Sequence, residues 1–260
     1  MSLAHSMPSG APEPARRVLI VLPTYEEAAN IEHVLWRIRG SVPDASVLVV
    51  DDGSPDGTAD LAEAAGEVLG NISVLRRDGK SGLGAAYRDG FRWAMAAGFD
   101  VLVEMDADLS HDPAALPSLL GAIAEGADLS IGSRYVPGGT IPKWSWRRRM
   151  LSRWGNRYAG VMLGIDVRDA TSGFRAYRSD VVAALDLETV RADGYGFQIE
   201  MAYRVALAGG TITEVPIAFV DREKGESKMC GRIVVEALAL VTRWGLARRL
   251  PHRKSAHRPR

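Results

Sequence analysis

The sequence predicts an α/β protein built on one mostly parallel, doubly wound sheet flanked by helices, in a single domain. Two observations carry that expectation. Short apolar runs alternate with helix-length segments through the first half of the chain, the order from which parallel sheets are built. Polar and glycine-rich tracts follow the apolar runs directly, at the strand ends where such sheets bind ligands. The composition agrees. Of 260 residues, 47% are hydrophobic and 25% charged, which suits one large core and no disordered majority.

Taken in order, strands are expected over 18–22, 46–50, 72–75, 101–105 and 129–132, each a short apolar run closed by polar or turn residues. Helices are expected between them over 27–39, 59–68, 84–97 and 114–125. After Arg134 the pattern changes. Gly138-Gly139 marks a loop, and a basic stretch with Trp144, Trp146 and Trp154 follows, where sheet gives way to helix. Strand-like pieces at 173–177 and 211–219 flank a helix around 197–208, and a helix over 229–248 closes the pattern. Residues 1–17, rich in Pro, Ser, Ala and Gly without an apolar stretch, read as a disordered leader. The domain is expected over 18–246, with 247–260 as a basic tail.

Charge is balanced at 32 basic and 32 acidic residues, but two segments are purely basic: 140–165 and the chain after Glu236. Such runs point to an anionic surface or ligand, nucleic acid or lipid headgroups. The single Cys230 excludes an internal disulfide and fits a reducing, cytosolic compartment. No run approaches the roughly 18 apolar residues needed to span a bilayer.

The fourth apolar run ends in Asp106-Ala107-Asp108. Strand alternation would send both carboxylates to one side, roughly 6 to 7 Å apart, a seat for Mg²⁺ or Mn²⁺ completed by phosphate oxygens. The competing reading is that the pair caps the turn at 109–113. At the ends of the first two strands lie Pro23, Thr24, Tyr25 and Glu27, then Asp51-Asp52-Gly53-Ser54-Pro55-Asp56-Gly57-Thr58. A carboxylate there can accept from a ribose hydroxyl or a base N–H, and Tyr25 offers a ring to a base. The same tract is equally turn chemistry with Thr58 as an N-cap. Gly79-Lys80-Ser81-Gly82-Leu83-Gly84 is either a phosphate cradle or a flexible loop; it lacks both the Walker and the dinucleotide spacing.

Read together and in order, these motifs resemble glycosyltransferase family 2, and within it the polyprenol-phosphate (dolichol-phosphate) mannosyltransferases, over roughly residues 18–246. Gly132-Ser133-Arg134-Tyr135, Asp169-Ala170-Thr171-Ser172-Gly173-Phe174-Arg175 and the tract from Phe219 to Lys228 strengthen the likeness. The resemblance implies a GT-A fold and transfer of mannose from GDP-mannose, with Mg²⁺ or Mn²⁺, to a polyprenyl phosphate with inversion. The product would feed lipid-linked glycosylation. By motif match, Pro23, Tyr25, Glu27, Val50 and Asp52 would hold the guanosine; Asp106 and Ala107 would lie at the ribose and diphosphate, and Asp108 would ligate the metal. Family members often carry Gln two residues after the second Asp. Here Ser110 stands in that place, so a hydroxyl or a water would supply the third contact. Arg134, Arg222 and Lys228 would stabilise the departing diphosphate, and Arg148 and Ser152 would hold the acceptor phosphate.

The chemistry explains why no general base is expected. A sugar hydroxyl needs one, whereas a phosphate monoester is already anionic, with a second pKa near 6. The Trp-rich basic stretch and the last helix would meet an anionic membrane surface, the helix alternatively packing on the core. The expected setting is peripheral, at the cytoplasmic face of a membrane, with a membrane-anchoring protein as a further partner. Two rival readings remain: a polyprenyl-phosphate glucosyltransferase using UDP-glucose, and a silent nucleotide-sugar-binding subunit. Nucleic acid is not expected as a partner, because acids at a binding edge repel phosphates unless a metal intervenes.

Overall fold

The computed structural model describes residues 16–220 and 231–249. Its first half runs β1 (Val18–Thr24), α1 (Ile31–Ser41), β2 (Ser46–Asp51), α2 (Thr58–Leu69), β3 (Ile72–Arg76), α3 (Leu83–Ala96), β4 (Val101–Glu104), α4 (Leu116–Ala124) and β5 (Leu129–Ser133). The second half runs α5 (Trp146–Leu163), β6 (Arg175–Arg178), α6 (Ser179–Ala184), α7 (Gly194–Leu207), β7 (Ile212–Pro216) and α8 (Gly231–Arg249). Among the described residues the strands form one sheet in the order β3-β2-β1-β4-β6-β5-β7. Only β6 runs antiparallel to its neighbours, β4 and β5.

The apolar strand runs are continuous because both faces of the sheet are covered. Along β1, Leu19 and Val21 enter one core with Tyr87 and Phe91 of α3 and Phe197 of α7. Ile20 and Leu22 enter the other with Ile31 and Leu35 of α1 and Leu119 of α4. Helix α3 lies so close to the sheet that a Cβ on Gly90 would stand 2.5 Å from Val21 Cγ1. The strand order reverses between β1 and β4, and this switch point opens a crevice at the carboxyl ends of the strands.

Several boundaries differ from expectation. Residues 27–30 form a turn rather than a first helical turn, with the Asn30 and Ile31 amides both donating to the Glu27 carbonyl. Strand β4 ends at Glu104, so Asp106 and Asp108 lie in the loop beyond it rather than on strand alternation. That loop passes through Leu109 at φ 64. Strand β6 begins at Arg175, and Phe219 makes only an isolated bridge with His111. Helix α8 takes in Ala247, Arg248 and Arg249 of the segment expected as a tail. Its apolar stripe packs on the core: Ala237 and Val241 are buried, Trp244 stacks on Tyr203 of α7, and Thr242 Oγ1 lies 2.7 Å from Tyr158 Oη of α5. No helix among the described residues is long and apolar enough to cross a membrane.

Candidate active site

A cleft of about 650 Å³ opens over the ends of β1, β2 and β4. Pro23, Tyr25, Glu27, Asp52 and Lys80 line one end. Asp106, Ala107, Asp108, Ser110 and His111 line its middle, and Arg134, Trp144, Arg148 and Thr171 the far end. Of the residues picked from sequence, this brings together all but four. Val50 is fully buried in the core and its side chain does not reach the cleft. Ser152 lines an adjoining pocket. Arg222 and Lys228 lie outside the described residues.

The turn after β2 is built by its own side chains and leaves one carboxylate to the cleft. Asp51 accepts from Thr24 Oγ1 at 2.9 Å and from the Ser54 amide at 2.8 Å, and so shapes the turn. Asp56 accepts from the Ala28 amide and from Thr58 Oγ1, tying this turn to the one after β1. Thr58 does not cap α2, whose N-cap is Gly57; its hydroxyl instead accepts from the Glu27 amide at 3.0 Å. Asp52 alone of the turn's acids lines the cleft, oriented by an ion pair with Arg77, which also reaches Asp89 at 3.0 Å. Lys80 Nζ sits 4.2 Å above the Tyr25 ring, a cation–π contact that brings the glycine-rich loop over this end. The start of α3 is not an open phosphate cradle, because the Gly84 amide donates to Asp193 Oδ1 at 2.7 Å.

In the loop after β4, the Ser110 amide donates to Asp108 Oδ1 at 3.0 Å, so the capping reading holds for one oxygen. The Asp106 amide donates to His111 Nδ1 at 3.1 Å, which places the hydrogen of a neutral imidazole on Nε2. His111 is 2% exposed and stacked on Phe174 at 5.0 Å. No group of three or more His, Cys, Asp or Glu side chains gathers here among the described residues. Two hard carboxylates facing a cleft still fit a divalent cation whose remaining contacts come from substrate phosphates and water.

At the far end Arg134 meets Asp169 in a two-pronged pair, Nε to Oδ2 at 2.7 Å and Nη2 to Oδ1 at 2.6 Å. Nη2 also donates to Thr171 Oγ1 at 2.9 Å. Burial opposes the Arg134 charge, and buried Asp169 outweighs it, holding the guanidinium above its ordinary pKa. Arg148 stacks its guanidinium 3.9 Å over Trp144. Both arginines also line the adjoining pocket, about 80 Å³, whose other walls include Leu151, Ile199, Val234, Leu238 and Val241 of α5, α7 and α8.

Beneath the cleft lies a polar layer that the sequence did not announce. Glu104 is fully buried, and burial pushes its carboxyl up to about 7 although Arg175 beside it pulls the other way. Arg175, equally buried, donates to the carbonyls of Ser172 at 2.7 Å, Ala170 at 2.7 Å and Gln198 at 2.6 Å. His111 had a visible signal, a histidine three residues past the acid pair. Arg175 closes a motif noted in the sequence, but its partners had no signal: the pairing of β4 with β6 sets it against Glu104, and the packing of α7 brings Gln198 to it.

An α/β sheet with one antiparallel insertion and a two-ended cleft at its switch point defines the GT-A class of fold. The chain belongs to glycosyl transferase family 2, whose model matches residues 19–185, and is therefore a glycosyltransferase. It is 53% identical to an undecaprenyl-phosphate mannosyltransferase of Micrococcus luteus over 90% of this chain and 96% of that protein. It is 48% identical to a polyprenol monophosphomannose synthase of Mycolicibacterium smegmatis over 91% of this chain and 90% of that one. Among solved structures, glucosyl-3-phosphoglycerate synthase from Mycobacterium tuberculosis with Mn²⁺, uridine diphosphate and phosphoglyceric acid superposes with a TM-score of 0.68. It is 23% identical, over 89% of this chain and 79% of that one.

Proposed function

We propose that this glycosyltransferase moves mannose from GDP-mannose to a polyprenyl monophosphate, with inversion at the anomeric carbon. The observation that carries the reading is the continuity of the two pockets: Arg134 and Arg148 line both a polar nucleotide-sized cleft and an apolar pocket. A phosphate held by these arginines would face the sugar on one side and leave an isoprenoid tail on the other. The mannosyl relatives named above support the sugar and the lipid.

The guanosine lies against Pro23, Tyr25, Glu27 and Asp52 in this reading, with Val50 supporting them from the core. A carboxylate accepts from two adjacent N–H groups on the edge of guanine, whereas uracil offers one, so Asp52 favours GDP over UDP. Asp106 and Asp108 would hold Mg²⁺ or Mn²⁺, with Ser110 nearby, and the ion would neutralise charge on the departing diphosphate. Ala107 brings its backbone to the same place. An acceptor phosphate oxygen attacks the anomeric carbon, the bond to the diphosphate breaks, and GDP leaves. The acceptor is already anionic, so positioning and positive charge do the remaining work. Arg148 and Ser152 hold the acceptor, and Arg134, which lines both pockets, stands between it and the diphosphate; Arg222 and Lys228, assigned by motif alone, attend the diphosphate.

Helix α5 exposes Trp146 at 71% beside Met150, Leu151 and Trp154, interleaved with Arg147, Arg149 and Arg153. That is the composition of a helix lying in the interface of an anionic bilayer. These exposed residues support a peripheral setting; in this reading the enzyme works at the cytoplasmic face of a membrane, where a membrane-anchoring protein would reinforce it. The test is transfer of labelled sugar to a short polyprenyl phosphate in detergent, from GDP-mannose beside UDP-glucose, with and without Mg²⁺ or Mn²⁺. Metal-dependent labelling from GDP-mannose is expected. Labelling from UDP-glucose alone would select the glucosyl reading, and none from either would leave a silent binding subunit.

A further inference from the structure

A small space in the floor of the cleft is bordered by three polar groups, two from the loop after β4 and one from α7. A Cβ built on Gly173 would stand 3.6 Å from Gln198 Nε2, 3.7 Å from His111 Cε1 and 3.9 Å from Asp106 Oδ1. These are ordinary contact distances, so a methyl group fits there, and glycine keeps the space open. Gln198 is 2% exposed and lines the cleft; its amide nitrogen has the buried Glu104 carboxyl beside it, while its amide oxygen has no partner in hydrogen-bonding geometry among the described residues. A buried amide oxygen without a donor costs free energy unless a ligand completes it. His111, fixed by the Asp106 amide through Nδ1, presents Nε2–H as its remaining donor.

The location says what the ligand is. Asp106 belongs to the diphosphate end, while two residues before Gly173 the Thr171 hydroxyl accepts from Arg134 at the acceptor end. Only the transferred sugar must lie between those ends. We infer that Gly173, Gln198 and His111 form the hexose subsite, the amide and the imidazole N–H reading sugar hydroxyls that enter the space a side chain at 173 would fill. The assignment rests on the nucleotide-sugar reading of the cleft. The remaining donor and acceptor of Gln198 suit a hydroxyl, which offers both, better than a phosphate oxygen, which only accepts.

The test is calorimetric titration of the full chain with GDP and with GDP-mannose in Mg²⁺ buffer, for wild type, Gly173→Ala and Gln198→Met. Both variants are expected to bind GDP within about twofold of wild type and GDP-mannose about tenfold more weakly. Preserved GDP affinity shows that the nucleotide half is folded, and if Gly173→Ala fails that control, Gln198→Met decides. GDP-mannose bound by a GDP-competent variant as tightly as by wild type overturns the subsite. If wild type itself binds neither ligand, the nucleotide-sugar reading falls first and the subsite with it.

Discussion

Asp108 is 4% exposed and accepts the Ser110 amide, yet it faces the cleft beside Asp106. Asparagine keeps an acceptor for that amide and removes the charge, so Asp108→Asn should fold normally and lose at least about 100-fold in transfer rate at saturating metal. Near-normal turnover with intact circular dichroism would remove Asp108 from the metal site. The Arg134–Asp169 pair makes a stability prediction instead. Asp169→Ala strands a buried guanidinium and should cost about 3–5 kcal/mol in denaturant unfolding. Glu104 gives a pH dependence. Its folded carboxyl titrates at about 7 against a reference of 4.5, so the native state binds more protons between those values. Stability from this group is therefore full below pH 4.5 and lost as pH rises through 7, by on the order of 3 kcal/mol. Glu104→Gln should flatten that slope; an unchanged slope would mean that another group sets it. Asp106 and Asp108 were legible because an apolar run ending in two acids is a local signal. Gln198 was not, since it lies on an ordinary helix and acquires meaning only opposite Gly173.

At the scale of elements, β1, β2, β4 and β5 were legible because strands covered on both faces are apolar throughout, and the partly exposed edge strand β3 through its short apolar run. Strand β6 was harder. Its sequence Arg-Ala-Tyr-Arg reads as polar, and Arg175 is buried only because three backbone carbonyls of its surroundings receive it. Arg175→Met should therefore destabilise the fold by about 3 kcal/mol or more in denaturant unfolding, by orphaning carbonyls that bind loop 170–172 to α7. A loss under about 1 kcal/mol would show that water replaces it readily. Helix α6, six residues long, gives too short a pattern for periodicity to reveal. Of the two uses offered for α8, core packing is seen in the stripe through Ala237 and Val241; Val235 and Leu246 stay exposed. Helix α5 keeps Trp146 and Trp154 outward. The double change Trp146→Ala and Trp154→Ala should weaken sedimentation with anionic vesicles about tenfold or more while leaving GDP binding unchanged. Equal vesicle binding would move the membrane contact elsewhere.

Across the whole molecule, a crevice at a sheet's switch point joins an end lined by Pro23, Tyr25 and Asp52 to an arginine-walled end, and the latter adjoins an apolar pocket lined by α5, α7 and α8. In the proposed reading the acceptor is a phosphate with an apolar tail, and its chemistry removes the need for a general base. The most direct measurement offers the enzyme GDP-mannose with equal amounts of a polyprenyl phosphate and the matching polyprenol, and identifies the products by mass spectrometry. Mannose should be found on the phosphate alone. Mannose on the free alcohol would contradict the account, because only a base acting on a hydroxyl could put it there.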